Sequence, residues 1–460
     1  MKIINSILFV LLLFNVNYGF SATTITRHDI TWTFAYDETC GTYVNGDPWC
    51  VGPVTITAIS PASTSIEGRI QHGSETNPPN AGGAGYDNQQ NWTYSATNNV
   101  ARPGGNDLSA GNPLMITVGS LVSTRTKDTP NTRPGIEDAS VLTIIASAPA
   151  ENSFRPPITG TDKTSYWKLS DVNFSLLPRL DKSIVSTAPT EATVSVDTTM
   201  DKLWFDVYGG TSGGREFHPS NNMPDYGGSM AVTLGVLSDT VLLDYPQEIL
   251  EPIVIRLIQY GIDVYGTIKY YSGSNVLSVS TQGALWMGGG GHGHGRKWPM
   301  IFAGLMLNDF NILEYADGQK WPIFQEEQQH FYVTQADVDR ERYTEDGRPR
   351  DPYTVEMIGT PEWGEQHTNQ PDRDGSNWDA YYRDIVSPSI AGHILAAEIM
   401  GAKTLWNWPS AFEYQERFKK HQIEVGAAIG SYESAFSKEM YMKFHNFNRR
   451  IFRIRAVINE

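Results

Sequence analysis

Residues 287–300 read Met-Gly-Gly-Gly-Gly-His-Gly-His-Gly-Arg-Lys-Trp-Pro-Met. His292, His294, Arg296 and Lys297 bring two imidazoles, a guanidinium and an ammonium together. An imidazole titrates near neutral pH and serves as a general acid or base. A guanidinium grips a carboxylate with paired hydrogen bonds. Glycines pack nothing and carry an entropic cost, so a run of four belongs where a backbone must approach something closely. Pro299 suits the first turn of a following helix, which would set the cluster at a helix N-terminus. Lys297 is followed by Trp298 rather than Ser or Thr, so this is not a phosphate-binding loop. His292 and His294 would need His218 or a carboxylate to complete a metal set, and no third ligand stands at a matching spacing. No metal or other cofactor is expected.

Two further segments carry suitable groups. Residues 213–226 combine His218, Asn222, Asp225 and Tyr226 in a stretch that Pro219 and Pro224 keep from being helical. An amide can bond a substrate carboxylate, and a phenol can pass a proton. Residues 361–383 hold Glu362, Trp363, Glu365, His367, Trp378, Tyr381, Tyr382 and Arg383. Aromatic rings in loops stack well on the apolar faces of sugars, whose edges are polar.

These segments need a scaffold of roughly two or three domains, from a chain of 460 residues. Residues 24–150 are rich in Thr, Ser, Gly, Asn and Pro, with short alternating apolar runs such as 30–34, 54–59, 114–118 and 141–145. This predicts an antiparallel β-sandwich, with residues 73–107 as a long polar loop. Cys40 and Cys50 flank the turn signal Asn45-Gly46-Asp47, so a hairpin would set them opposite each other as a structural disulfide. Residues 151–195 read as a connecting segment, marked by Phe154-Arg155-Pro156-Pro157. From residue 196 to 460 the apolar spacing turns helical, with helices expected near 198–208, 228–243, 247–268, 298–308, 380–401 and 409–424. The fold class is multidomain β + α, the helical part being an α/α toroid or a large bundle.

Residues 1–21 read as a secretory signal: Lys2, the apolar run Ile7 to Phe14, and small residues before Ala22. Secretion or a periplasmic address is therefore expected. No other stretch is long and apolar enough to span a bilayer. The net charge of −16 argues against nucleic acid and against anionic membranes, but not against one anionic substrate held by a local basic cluster.

Five blocks resemble a secreted bacterial family with an N-terminal β domain and a C-terminal helical domain. They are SFRPPITGTDKT (153–164), HPSNNMPDYG (218–227), GGHGHGRKWPMIFAGLMLND (290–309), TPEWGEQH (360–367) and AAEIMGAKTLWN (396–407). The helical half of that family is similar to the α/α-toroid polysaccharide lyases, and the similarity implies a saccharide substrate. This chain has His294 where the family pattern has Ser. It also has Asp384-Ile385-Val386 where a paired Cys would follow, so of that stretch only Tyr382 and Arg383 match.

The expected function is thus a lyase that cleaves an anionic, uronic-acid polysaccharide by β-elimination. Three roles are needed: neutralisation of the C6 carboxylate, removal of the C5 proton, and protonation of the leaving oxygen. Arg296 and Asn222 are expected at the carboxylate, His292 as base and Tyr226 as acid. His218, His294 and Tyr382 are second choices. Lys297, Trp298, Trp363, His367 and Arg383 are expected to bind substrate. One alternative is a glycoside hydrolase using Asp225, Glu362 or Glu365 as its carboxylate pair. Another is a glycan-binding protein without catalysis.

Overall fold

The computed structural model describes residues 19–87, 94–101, 107–129, 135–205, 207–208, 218–224, 226–272, 285–286, 290–343, 347, 349–364, 383, 386–425 and 432–445. The signal-like segment falls almost wholly outside this set.

The alternating runs form strands, as their period requires. Strands β1 (Phe20–Arg27), β2 (Ile30–Thr42), β3 (Pro48–Val51) and β4 (Val54–Ser60) are followed by a small hairpin of β5 (Thr64–Ile66) and β6 (Arg69–Gln71). Then come β7 (Ser74–Thr76), β8 (Leu114–Ile116), β9 (Gly119–Thr126) and β10 (Ile136–Ile145). On β2, Ile30, Trp32 and Phe34 are buried while Thr31 and Thr33 between them are half-buried. That is the period-two pattern of a strand with one face on a core.

The layering differs from the expected two-sheet antiparallel sandwich. Of these ten strands, eight join one sheet in the order β7-β9-β10-β3-β2-β4-β8, with β1 added to β2, while β5 and β6 pair apart. The sheet curls into a half-barrel. It is mixed, because β3 runs parallel to β10. One reason a second sheet is not needed is that β9 and β10 are covered on both sides. Leu121, Leu142 and Ile144 face the β core, whereas Val122, Ala139 and Val141 pack under Tyr86, Ile158, Leu203 and Phe205. The segment 73–107 is not only a loop. It supplies the edge strand β7, whose buried Glu75 accepts hydrogen bonds from Asn80, Gly85 and Tyr208. Cys40 and Cys50 are directly opposed on β2 and β3 and form the expected disulfide.

The second half is helical: α1 (Glu191–Ser195), α2 (Gly227–Val241), α3 (Gln247–Ser272), α4 (Lys297–Met306), α5 (Phe310–Leu313), α6 (Gln325–Gln329) and α7 (Gln335–Asp339). A short pair of strands, β11 (His330–Tyr332) and β12 (Pro361–Trp363), lies beside them. Helices α8 (Ala391–Ile399), α9 (Lys403–Trp406), α10 (Pro409–Val425) and α11 (Ala435–Phe444) follow. The expected helix over 198–208 does not form among its described residues. Leu203, Phe205 and Val207 point alternately into the layer over β10, while Trp204 joins the helical core. That alternation belongs to extended chain. Nor is 151–195 a free connection, since Phe154, Trp167, Leu177, Leu180 and Val194 are buried in the helical core. Helices α3 and α4 can pack closely because a Cβ at Gly261 would sit 2.3 Å from the Pro299 carbonyl oxygen. Among the described residues no helix is long and apolar enough to cross a membrane.

Arg155 joins the halves. Its Nε donates to Asp47 beyond β2 (2.8 Å), and its two terminal nitrogens donate to Asp263 on α3 (2.9 and 2.5 Å). The side chain is buried, and the two carboxylates hold its guanidinium charged against the cost of burial. A lysine cannot reproduce this planar fork. Arg155→Lys is therefore expected to cost about 1.5–3 kcal/mol, read as a lower urea midpoint. An unchanged midpoint would contradict the role.

Candidate active site

From Gly290 onward the glycine-rich loop folds between α2, α6 and the segment 386–390 just before α8. Tyr226 is the last extended residue before α2, and its ring meets the His292 imidazole edge-on, centroids 5.0 Å apart. The Tyr226 hydroxyl oxygen accepts the Gly291 N–H at 2.8 Å. Both side chains are half-buried. The approach depends on missing side chains. A Cβ at Gly227 would lie 2.2 Å from the His292 carbonyl oxygen, and one at Gly291 would lie 2.5 Å from Val386 and 2.7 Å from the Tyr226 hydroxyl. On its other side Tyr226 packs against Tyr432, centroids 5.2 Å apart. Tyr226 and Tyr432 also border a cluster of Trp363, Val386, Tyr414 and Phe418. The three segments singled out in the sequence thus meet.

Most of the other expected residues point inward. Arg296 donates through one terminal nitrogen to the carbonyls of His292 (2.8 Å) and His294 (2.7 Å), bracing the loop that carries them. Lys297 is fully buried, with its ammonium 2.5 Å from Glu327 and near the rings of Phe324 and Trp406. Trp298 lies in the core and donates to Ser238. Asn222 donates to the carbonyls of Ala139 and Leu203, fixing its loop to β10, and the neighbouring His218 is buried. Trp363 is buried, with its ring edge toward His294. Arg383 forms a buried ion pair with Glu362 at 3.1 Å. In this arrangement none of these side chains is presented as an open substrate contact. His367, Tyr382, Asp225 and Glu365 lie outside the described residues.

One group of site residues escaped sequence reasoning. Gln325-Glu326-Glu327-Gln328-Gln329-His330 is an unbroken polar run, which normally signals a solvated surface. Five of its six residues are buried. Gln325 donates to the Gly290 carbonyl and accepts the Gly293 N–H, both at 2.5 Å. Glu326 accepts the Gly295 N–H at 2.9 Å. A flexible backbone thereby receives a fixed shape from α6. Only the shape of the neighbours identifies this role; the run itself carries no periodic signal.

Burial sets the charges here. It pushes the Glu326 carboxyl up to about 7, with the neighbouring Glu327 adding to the rise. It holds His294 well below the usual imidazole range, with His330 and Arg296 acting in the same direction. His330 and His393 are lowered to about 4 by the same desolvation. His294, as a neutral imidazole facing Ser389 at 3.1 Å, is thus part of the interior. A lowered histidine pKa means the unfolded chain binds more protons between about 4 and 6.5. Its contribution to stability is present above 6.5 and lost as pH falls toward 4. Glu326 acts oppositely, its contribution being full below 4.5 and lost as pH rises through 7. His393→Gln is therefore expected to narrow its stability gap from wild type by on the order of 2 kcal/mol between pH 6.5 and 4. Urea midpoints across that range measure it; a constant gap would refute it.

Among the described residues no group of three or more His, Cys, Asp or Glu is arranged to hold a metal ion. Compared with known proteins, the chain matches no family model, no curated protein sequence and no solved structure.

Proposed function

We propose that the protein is a secreted carbohydrate-active enzyme, cleaving a uronic-acid polysaccharide by β-elimination in a helical half arranged as an α/α toroid. The observation that carries this reading is the contact of Tyr226 with His292, a phenol and an imidazole with their rings 5.0 Å apart in a half-buried position. His292 takes the C5 proton. Tyr226 gives its hydroxyl proton to the glycosidic oxygen as the C4–O bond breaks and the C4–C5 double bond forms. The Gly291 N–H on the phenol oxygen orients the hydroxyl and stabilises charge that builds there.

Arg296 and Asn222 do not take the carboxylate in this reading, because both are engaged with backbone carbonyls. The first turn of α2, with glycines at 227 and 228, directs the positive end of a 15-residue helix beside the pair. The hydrolase reading loses Glu362, which is paired with Arg383. Incubation with alginate, glucuronan and related uronates tests the proposal. An ultraviolet rise from unsaturated products supports it, and no rise across a broad panel overturns it.

A further inference from the structure

A second region of the helical half has the make-up of a ligand site. A cleft of about 700 Å³ opens where residues 157–171, the C-terminal part of α3 and the segment after α4 converge. That volume falls in the range of small-molecule sites. The site shares no residue with the Tyr226–His292 pair. His292 precedes and Leu307 and Asp309 follow the ten-residue α4, a helix about 15 Å long.

The cleft presents aromatic surface to solvent. Tyr166 is 58% exposed and Tyr270 is 42% exposed, a costly arrangement for two rings facing one depression. Tyr166 is held rather than loose: its hydroxyl donates to Asp162 at 2.8 Å, and its ring lies 5.7 Å from that of Trp167. The Trp167 indole in turn donates to Asp309 at 2.7 Å. The wall itself is built around a buried ammonium. Lys163 donates to the carbonyls of Pro157 (2.6 Å), Ile158 (3.2 Å) and Thr159 (3.2 Å), which curls the 157–163 loop upon itself. Gly266 on α3 lets that loop approach, since a Cβ there would stand 2.1 Å from Pro157. Rings fixed in advance lose little entropy when a ligand arrives.

The charge in the cleft selects the ligand. Among the described lining residues, Asp162, Asp171 and Asp309 stand with one cation, Lys269, while the Lys163 ammonium is buried behind the wall on backbone carbonyls. Carboxylates accept hydrogen bonds from sugar hydroxyls and repel uronates, while the rings stack on the apolar sugar face. From this combination we infer that the cleft is a binding site for a neutral oligosaccharide, separate from the proposed centre of elimination. The inference does not rest on the lyase reading, and either can fail alone.

Titration calorimetry of the full chain tests it, using neutral hexasaccharides (cellohexaose, xylohexaose, mannohexaose, laminarihexaose and N-acetylchitohexaose) against hexamannuronate. At least one neutral ligand is expected to bind, with Tyr166→Ala and Tyr270→Ala each weakening it about ten-fold. Both rings are substantially exposed, so these variants are expected to keep the wild-type melting temperature, which is measured alongside. Three results would overturn the inference: no neutral ligand binding at millimolar concentration, binding indifferent to both substitutions, or hexamannuronate binding more tightly than every neutral hexamer through these two rings.

Discussion

Tyr226→Phe is expected to lower the rate of the proposed elimination by about 10²–10⁴-fold while leaving the fold in place. The substitution removes one oxygen and keeps the ring, so the contacts with His292 and Tyr432 persist. What disappears is the proton donor and the acceptor for the Gly291 N–H. Loss of that acceptor costs about 1–3 kcal/mol where the amide is shut off from water, and a urea melt reads this separately from turnover. The kinetic loss should fall on kcat, because in the proposed elimination the phenol acts on a bond that breaks in the transition state. His292→Gln should produce a loss of similar size. Wild-type turnover in Tyr226→Phe would remove the phenol from the mechanism.

The second large effect is one of stability. Lys297→Met is expected to cost about 3–5 kcal/mol, because it leaves the Glu327 carboxylate in the interior without its cation. Glu327 would retain the Phe324 N–H and the Trp406 indole N–H as donors. Those bonds do not replace a charge partner at 2.5 Å. Burial already raises the Glu327 carboxyl despite the opposing ammonium, so removing Lys297 pushes it further toward the neutral acid. Adding Glu327→Gln should recover much of the loss, since a buried ion pair replaced as a unit costs far less than one broken. The double-mutant cycle separates this account from a substrate-binding one. A surface lysine that bound a polysaccharide would lose affinity on substitution with its stability intact.

Lys297 also illustrates why the local sequence misled. Four cationic or titratable side chains within six residues look like an exposed anion site. Tertiary packing divides them. His292 stays half-buried beside Tyr226, whereas His294, Arg296 and Lys297 turn inward to Ser389 just before α8, to the loop's own carbonyls and to α6. The Ser389 partner of His294 is 95 residues away in the chain, the Glu327 partner of Lys297 lies on α6, and the partners of Arg296 belong to the loop's own backbone. Neither a composition nor a spacing contains that information. The same holds for the mostly buried polar run Gln325 to His330, in which Gln325 and Glu326 satisfy bare amides and a carbonyl of the glycine loop.

Periodic features transferred well. The helices at 227–241, 247–272, 297–306 and 409–425 and the alternating strands near the N-terminus follow from apolar residues repeating at 3.6 and 2.0. The Cys40–Cys50 bond follows from a turn signal set between two cysteines. These are local properties, settled by backbone geometry and by which face must leave water. The single curled sheet, the parallel pairing of β3 with β10 and the covering of β10 by Leu203, Phe205 and Val207 depend on segments that find each other across long stretches of chain. So do the inward turn of the basic loop and the opening of a second, aromatic cleft. Sequence by itself determined the strongly periodic strands and helices, and that Tyr226 and His292 stand in chemically suitable segments. Only the tertiary structure decided which side chains face each other and which face water, because burial is set by distant neighbours.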